Sequence, residues 1–127
     1  MKKKIHGIIV GDEILSGKRQ DKHLHYLAKT LNSKGLSLNK VDYVSDDLRD
    51  ISETIQKKLN CIVFCFGGIG ATPDDCTRQA AAKAHQRKLA QHPEALQLII
   101  DQFGVDAYPQ RVLMSEIPVG ANIIPNE

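Results

Sequence analysis

The run Cys61-Ile-Val-Phe-Cys-Phe66 continues directly into Gly67-Gly-Ile-Gly-Ala-Thr-Pro-Asp-Asp-Cys-Thr77, and this junction decides the fold. Six apolar residues in a row leave no polar face, as expected of a central strand in a parallel sheet covered on both sides. A glycine-rich turn after such a strand lies at its carboxyl end, where open parallel sheets bind their ligands. The turn then meets two acids, Asp74 and Asp75, which places negative charge where a phosphate would sit.

Outward from the junction the pattern alternates. Ile5 to Val10 is a short β-branched run closed by Gly11 and reads as a buried strand. Leu24, Leu27, Ala28 and Leu31 recur at helical spacing between about Asp21 and Ser33, and Lys34-Gly35 supplies the stop. Leu36, Leu38, Val41 and Val44 suggest a second strand. Ser45, Asp46 and Asp47 offer an N-cap to a helix carrying Leu48, Ile51, Ile55 and Leu59. Past the glycine turn, Thr77 to Leu89 and Pro93 to Phe103 predict two further helices. RVLMSEI and ANIIPN flank Pro118-Val119-Gly120, a proline-first turn of type I, and predict a hairpin. Strand, helix, strand, helix, strand, helix implies right-handed crossovers. The expected fold is α/β: a three-layer αβα sandwich with a mostly parallel sheet and a C-terminal antiparallel β-hairpin.

Length and composition narrow the function. The 127 residues make one domain, and a chain of this size buries about two-thirds of its unfolded surface. The net charge of +2 is small and its excess sits in Lys2, Lys3 and Lys4, which read as a solvated start and not as a nucleic-acid surface. No apolar stretch approaches the roughly 20 residues of a membrane helix, and the basic start leads into only IHGIIV, too short for a signal peptide. Cys61, Cys65 and Cys76 form no Cys-x-x-Cys or Cys/His spacing. They read as small core residues in a reducing cytoplasm, with Cys61 and Cys65 on one buried strand face.

The glycine turn is neither of two familiar phosphate loops. A P-loop ends in Gly-Lys-Ser/Thr, which is missing here. A dinucleotide fingerprint needs a third glycine where this chain has Pro73. Thr72-Pro73-Asp74-Asp75 also has the chemistry of a helix start, with threonine as N-cap, proline at the first position and Asp75 as capping-box acid. Capping explains the acids but leaves Gly67, Gly68 and Gly70, each costly in chain entropy, to be justified by close approach of a ligand. One arrangement accommodates both features: backbone N–H groups hold a phosphate, and Asp74 and Asp75 hold Mg²⁺ that bridges to it. Acids at the carboxyl ends of neighbouring strands, Asp12 and Glu13 with Asp74 and Asp75, would then share one cleft.

Taken in order, GDEILSG, Asp21, GGIGATPDDCTR and PVGANIIPN resemble the MoaB/Mog family of molybdopterin-binding domains, in particular the branch of the CinA N-terminal domain. The match runs along nearly the whole chain. It implies an α/β sandwich, self-association as a homodimer or trimer, and a pocket for a phosphorylated pterin or nucleotide. Mog-like members transfer adenylate from ATP to molybdopterin with Mg²⁺. CinA-like members, and the related domain fused to FAD synthase, are associated with pyrophosphate hydrolysis in ADP-ribose or FAD. By resemblance, Gly67, Gly68, Gly70, Thr72 and Thr77 match the phosphate turn, and Asp74 and Asp75 match its catalytic and metal-binding acid pair. Only Asp75 has a counterpart in the Mog-like version. Gly11, Asp12, Glu13 and Gly17 match the first motif, and Asp21 and Asp47 match further acids of the pocket.

The chain also departs from the pattern. His23 replaces the usual asparagine, Ala71 a common proline, and Pro73 a histidine frequent in the CinA-like branch, which weakens the case for hydrolysis more than that for binding. His6, His25, His85 and His92 belong to no constellation. Val112, Met114 and Ile117 alternate on the expected hairpin with no helix to cover them, an edge that a symmetric partner would protect. Family members continue past PVGANIIPN into another strand and helix, so the expectation is a domain lacking its C-terminal strand and helix.

Overall fold

The computed structural model describes residues 3–125; Lys2 and Asn126, the latter closing the last motif, lie outside the described residues. Ile5–Val10 forms β1, buried at every position except half-buried His6. After a single turn of helix, α1 (Asp12–Leu15), come α2 (His23–Ser33), β2 (Lys40–Val44), α3 (Leu48–Gln56) and β3 (Ile62–Phe66). The main sheet is parallel, in the order β2–β1–β3. Helix α4 (Thr77–Ala84), strand β4 (Leu89–Gln91), helix α5 (Pro93–Phe103) and strand β5 (Glu116–Pro118) complete the chain.

Side chains alternate across β1, so each face of the strand has its own core. Ile8 and Val10 pack with Ile51 and Ile55 of α3 and Ala80 and Ala84 of α4. Ile5, on the other face, packs with Leu27 and Leu31 of α2. Ile8 and Ile51 are fully buried, and complete burial of such a side chain contributes about 1.5–3 kcal/mol. The three layers expected from the alternating pattern are therefore present.

The central strand, however, is β1 and not β3. Only β1 is paired on both sides among the described residues, while Ile62 and Phe64 of β3 are 46% and 39% exposed. A continuous apolar run is compatible with either position, and the order of strands depends on the crossovers and not on the strand's own residues.

Other boundaries move for local reasons. Leu36 and Leu38 precede β2 without joining it. Helix α4 stops at Ala84 rather than Leu89 because Gln86 turns left-handed, at φ 54°. The released residues become β4, which pairs antiparallel with β5. The C-terminal antiparallel pair is thus present, but 89–91 replaces ANIIPN as the partner. Pro118 to Ala121 closes as a turn, Ala121 N donating to Pro118 O at 3.0 Å, yet Gly120 has φ 92°. A positive φ at that position makes the turn type II instead of type I. Residues 111–115 form a 3₁₀ turn packed against α5, so Val112 and Met114 do not lie on an uncovered hairpin. No helix among the described residues is long and apolar enough to cross a membrane.

At the amino-terminal end of the strands, His6 meets a buried cation. Lys58 Nζ lies 2.8 Å from His6 Nδ1 and 2.6 Å from Asp42 Oδ2, an ion pair without hydrogen-bond alignment, and Cys61 Sγ lies 3.9 Å from His6 Nε2. Burial, then the charges of Lys58, Lys40 and Lys4 against an opposing Asp42, lower the His6 pKa below 6.5. The unfolded chain therefore binds a proton that the folded chain refuses. Stability is expected to be full above pH 6.5 and to decline as pH falls below it. Urea unfolding at pH 8 and pH 5.5, with His6→Gln for comparison, checks this; an equal loss in both proteins would remove His6 as the cause.

Candidate functional site

The glycine turn is built by two residues at the start of α4. Thr77 Oγ1 donates to Gly67 O at 2.8 Å, and Thr77 N donates to Gly68 O at 3.0 Å. Arg78 Nε donates to Ile69 O at 3.3 Å, and its Nη2 to Gly70 O at 3.1 Å. Arg78 Nη1 reaches Glu116 O at 2.7 Å and ties the turn to β5. Arg78 is buried, and burial lowers its pKa against the opposing charges of Glu116 and Asp75. Four consecutive carbonyls are thereby drawn inward. Among the described residues, the amides of Gly68, Ile69 and Gly70 donate to no protein acceptor. A short run of unpaired amides in a turn can form an anion-binding concavity.

What each glycine makes room for is the protein itself. A Cβ on Gly67, at φ 92°, would collide with the Val10 carbonyl oxygen, and one on Gly68, at φ 69°, with Thr77 Oγ1. A Cβ on Gly70 would lie 2.5 Å from Asp75 Oδ2. The backbone economy that a ligand was expected to justify is already required by internal packing. What internal packing leaves for a ligand is the three amides without a protein acceptor.

Two hollows flank the turn. The larger, about 720 Å³, is lined by Gly67, Glu13, Asp21, Lys18, Arg19, Lys22 and His23 among others. The smaller, about 270 Å³, takes in Thr72, Asp75, Arg78 and Glu116. The single cleft read from the acids is therefore divided: Glu13 and Asp21 lie on one side of the turn, Asp75 on the other.

Most of the predicted acids are occupied structurally. Asp12 N donates to Asp46 Oδ2 at 3.0 Å and Asp46 N donates to Asp12 Oδ1 at 3.1 Å, a reciprocal clasp between the loops after β1 and β2. Asp47 caps α3, accepting from Asp50 N at 2.9 Å. Asp21 accepts from the amides of His23 and Leu24 and from Tyr43 OH at 2.8 Å. Desolvation would raise its pKa, but the bonds from His23, Tyr43 and Leu24 outweigh it and the carboxyl is held low. Asp75 Oδ2 accepts from Thr72 N at 3.2 Å and Thr72 Oγ1 at 2.7 Å. Asp74 is exposed. The Thr72–Asp75 pairing is capping chemistry, but it closes an isolated turn, and the helix begins only at Thr77. Burial first, then the charges of Asp46, Asp47, Asp75 and Asp12, raise the pKa of Cys76, so these four acids do gather at one end of the sheet. Gly11 ends β1, its N donating to Val44 O at 3.0 Å, and Gly17 leaves α1 at φ 81°.

The sequence reading gave no role to Arg78 or to the cations Lys18, Arg19 and Lys22. None of these three makes an ion pair among the described residues. Arg78 had a signal, as the last letter of GGIGATPDDCTR; the cations had none beyond their position between GDEILSG and Asp21.

Comparison with known proteins agrees with this architecture. Residues 7–124 match the family described as "Probable molybdopterin binding domain". A CinA-like protein of Kosmotoga olearia is 35% identical over 124 residues, covering 94% of this chain and 30% of its own length. Protein PAE0875 of Pyrobaculum aerophilum is 33% identical over 122 residues, covering 92% of this chain and 46% of its own. The chain thus spans half or less of these relatives. The crystal structure of CinA from Thermoplasma acidophilum superposes with a TM-score of 0.88 at 31% identity, over 98% of this chain and 75% of that one. The molybdopterin biosynthesis enzyme MoaB of Thermus thermophilus, at 19% identity and TM-score 0.60, over 90% of this chain and 71% of that one, shares the fold.

Proposed function

The chain belongs to the molybdopterin-binding domain family of MoaB/Mog type, on its CinA-like branch, and we propose that it binds a phosphorylated pterin or nucleotide at the glycine turn. The ligand's phosphate sits on the amides of Gly68, Ile69 and Gly70, and its further negative charge lies toward Lys18, Arg19 and Lys22. The observation that carries this reading is the polarity of the turn, with four carbonyls bonded to Thr77 and Arg78 and three amides left without a protein acceptor. A hollow of about 720 Å³ beside it, lined by Lys18, Arg19 and Lys22 as well as Glu13 and Asp21, is within the range of small-molecule sites.

Mg²⁺ is part of this proposal only as a companion of the ligand. Among the described residues no group of three His, Cys, Asp or Glu side chains is placed to hold a metal. Asp75 accepts two bonds at one oxygen, which leaves its other oxygen and exposed Asp74 to meet a metal that arrives with the ligand. Mg²⁺ commonly arrives with substrate phosphates and one or two carboxylates. Cleavage of a pyrophosphate linkage in ADP-ribose or FAD is the finer form of the proposal. The structural bonds of Asp12, Asp21, Asp47 and Asp75 favour binding over turnover in the isolated chain, and nothing in the site favours adenylyl transfer over either.

Calorimetric titration with ADP, ADP-ribose and FAD, with and without Mg²⁺, tests the proposal. Saturable binding of at least one is expected, and its strengthening by Mg²⁺ would mark the metal as a companion. If none of these binds and molybdopterin does not bind either, the proposal is wrong; release of AMP alongside binding would extend it to catalysis. We also propose a homo-oligomer, supported by the exposed Ile62 and Phe64 of β3. A monomer by light scattering at high micromolar concentration would end that reading.

A further inference from the structure

The larger hollow contains a feature that the phosphate reading does not use. The His23 ring stacks on Phe66, with centroids 4.8 Å apart and planes inclined by 28°. Its Nδ1 lies 3.0 Å from Asp21 Oδ1, and Tyr43 OH in turn donates to Asp21 Oδ2. One face and one edge of the imidazole are therefore fixed, while the side chain remains 51% exposed and lines the hollow. Stacking surfaces held in place before binding lose little entropy when a ring settles on them.

The chain also places this ring at a fixed step from the anion cradle. Phe66, beneath His23, is the last residue of β3; Gly67 lines the hollow; the free amides begin at Gly68. Lys18, Arg19 and Lys22 border the same space. A ligand with a flat ring and a phosphate joined by a short linker matches that sequence of surfaces.

We infer that the free face of His23 is the platform for the planar heteroaromatic ring of the ligand, a purine or pterin whose phosphates occupy the glycine cradle. The inference rests on the proposed phosphate site and adds its second half. His23 is then a specificity residue, selecting ring-bearing phosphates over bare ones, and its imidazole stacks on the ligand's ring where the family's asparagine would offer only an amide.

Titration of ADP and of inorganic pyrophosphate into the wild-type chain, His23→Ala and His23→Phe tests it. His23→Ala is expected to weaken ADP about tenfold, as removal of an aromatic stacking partner does, and to leave pyrophosphate within about twofold. His23→Phe is expected to restore ADP to within about threefold of wild type. In NMR spectra, the His23 ring protons of the wild-type chain should move upfield with ADP and not with pyrophosphate. That arm needs no variant and decides the matter if His23→Ala melts early. Equal weakening of both probes, failure of phenylalanine to restore ADP, or no upfield movement overturns the platform. Pyrophosphate binding as tightly as ADP overturns the platform and leaves the cradle standing. If neither binds, the cradle falls and the platform with it.

Discussion

Gly67→Ala is expected to destabilise the fold by about 2–5 kcal/mol, combining about 1–2 for the left-handed backbone with about 1–3 for overpacking. Gly67 sits at φ 92°, with its would-be Cβ inside the Val10 carbonyl oxygen, and that oxygen belongs to the central strand. Neither partner can give way, because Val10 is buried in the core between α3 and α4. Gly17→Ala provides the internal control. Its φ is 81° but nothing lies within 4 Å of the added atom, so only the backbone cost of about 1–2 kcal/mol applies. Urea denaturation midpoints of the two variants measure the difference. Equal losses would show that conformation alone, not the approach of Val10, requires glycine at 67. For a domain with a total stability of about 5–15 kcal/mol, the larger loss is a substantial share.

Arg78→Met should come next, at about 3 kcal/mol, because three part-buried carbonyls lose their donor and each costs about 1, the low end for an unsatisfied group. Methionine keeps most of the apolar stem, so the loss reports the hydrogen bonds more than the packing. Thermal melting should fall by about 10 °C for a chain of this length. The same change releases the carbonyls of Ile69 and Gly70, so pyrophosphate affinity should fall by about tenfold or more, measured at a temperature where the variant is folded. Arg78→Lys, with one ammonium in place of the guanidinium fork, should recover part of the stability and little of the affinity. If Arg78→Met binds pyrophosphate as well as wild type, the unpaired amides do not depend on the carbonyls that Arg78 holds.

Local periodicity was enough to locate β1 and α5, whose ends agree with the reading of Ile5 to Val10 and Pro93 to Phe103. β3 was legible as a strand, but its place in the sheet was not, since pairing is decided by crossovers between distant segments. The end of α4 was hidden because His85, Gln86, Arg87 and Lys88 include good helix formers, and the left-handed Gln86 is not a glycine. Strand β4 is three residues long, too short for any period to show.

In the site, residue types were easier to read than their tasks. Asp47 was read both as a cap and as a pocket acid, and the structure shows the cap. Asp21 looks like a ligand in one dimension, while its partner Tyr43 lies on β2, 22 positions away. The Thr72–Asp75 pair announced capping, and the bonds are present without the helix that normally follows. Lys18, Arg19 and Lys22 acquire meaning only when the connection from α1 to α2 folds over Gly67.

The inward fastening of the turn has an evolutionary consequence. Thr77 and Arg78 secure the carbonyls of residues 67 to 70 from the far side of a loop whose residues 71 to 76 contribute none of those bonds. The cradle and the loop are therefore separable inheritances. Drift, insertion or grafting within 71 to 76 can change which chemical group leans over a bound anion while the anion's seat stays the same. A single scaffold of this kind can pass from holding a ligand to transforming it by rewriting one short loop, of which Thr72, Pro73 and Asp74 are exposed.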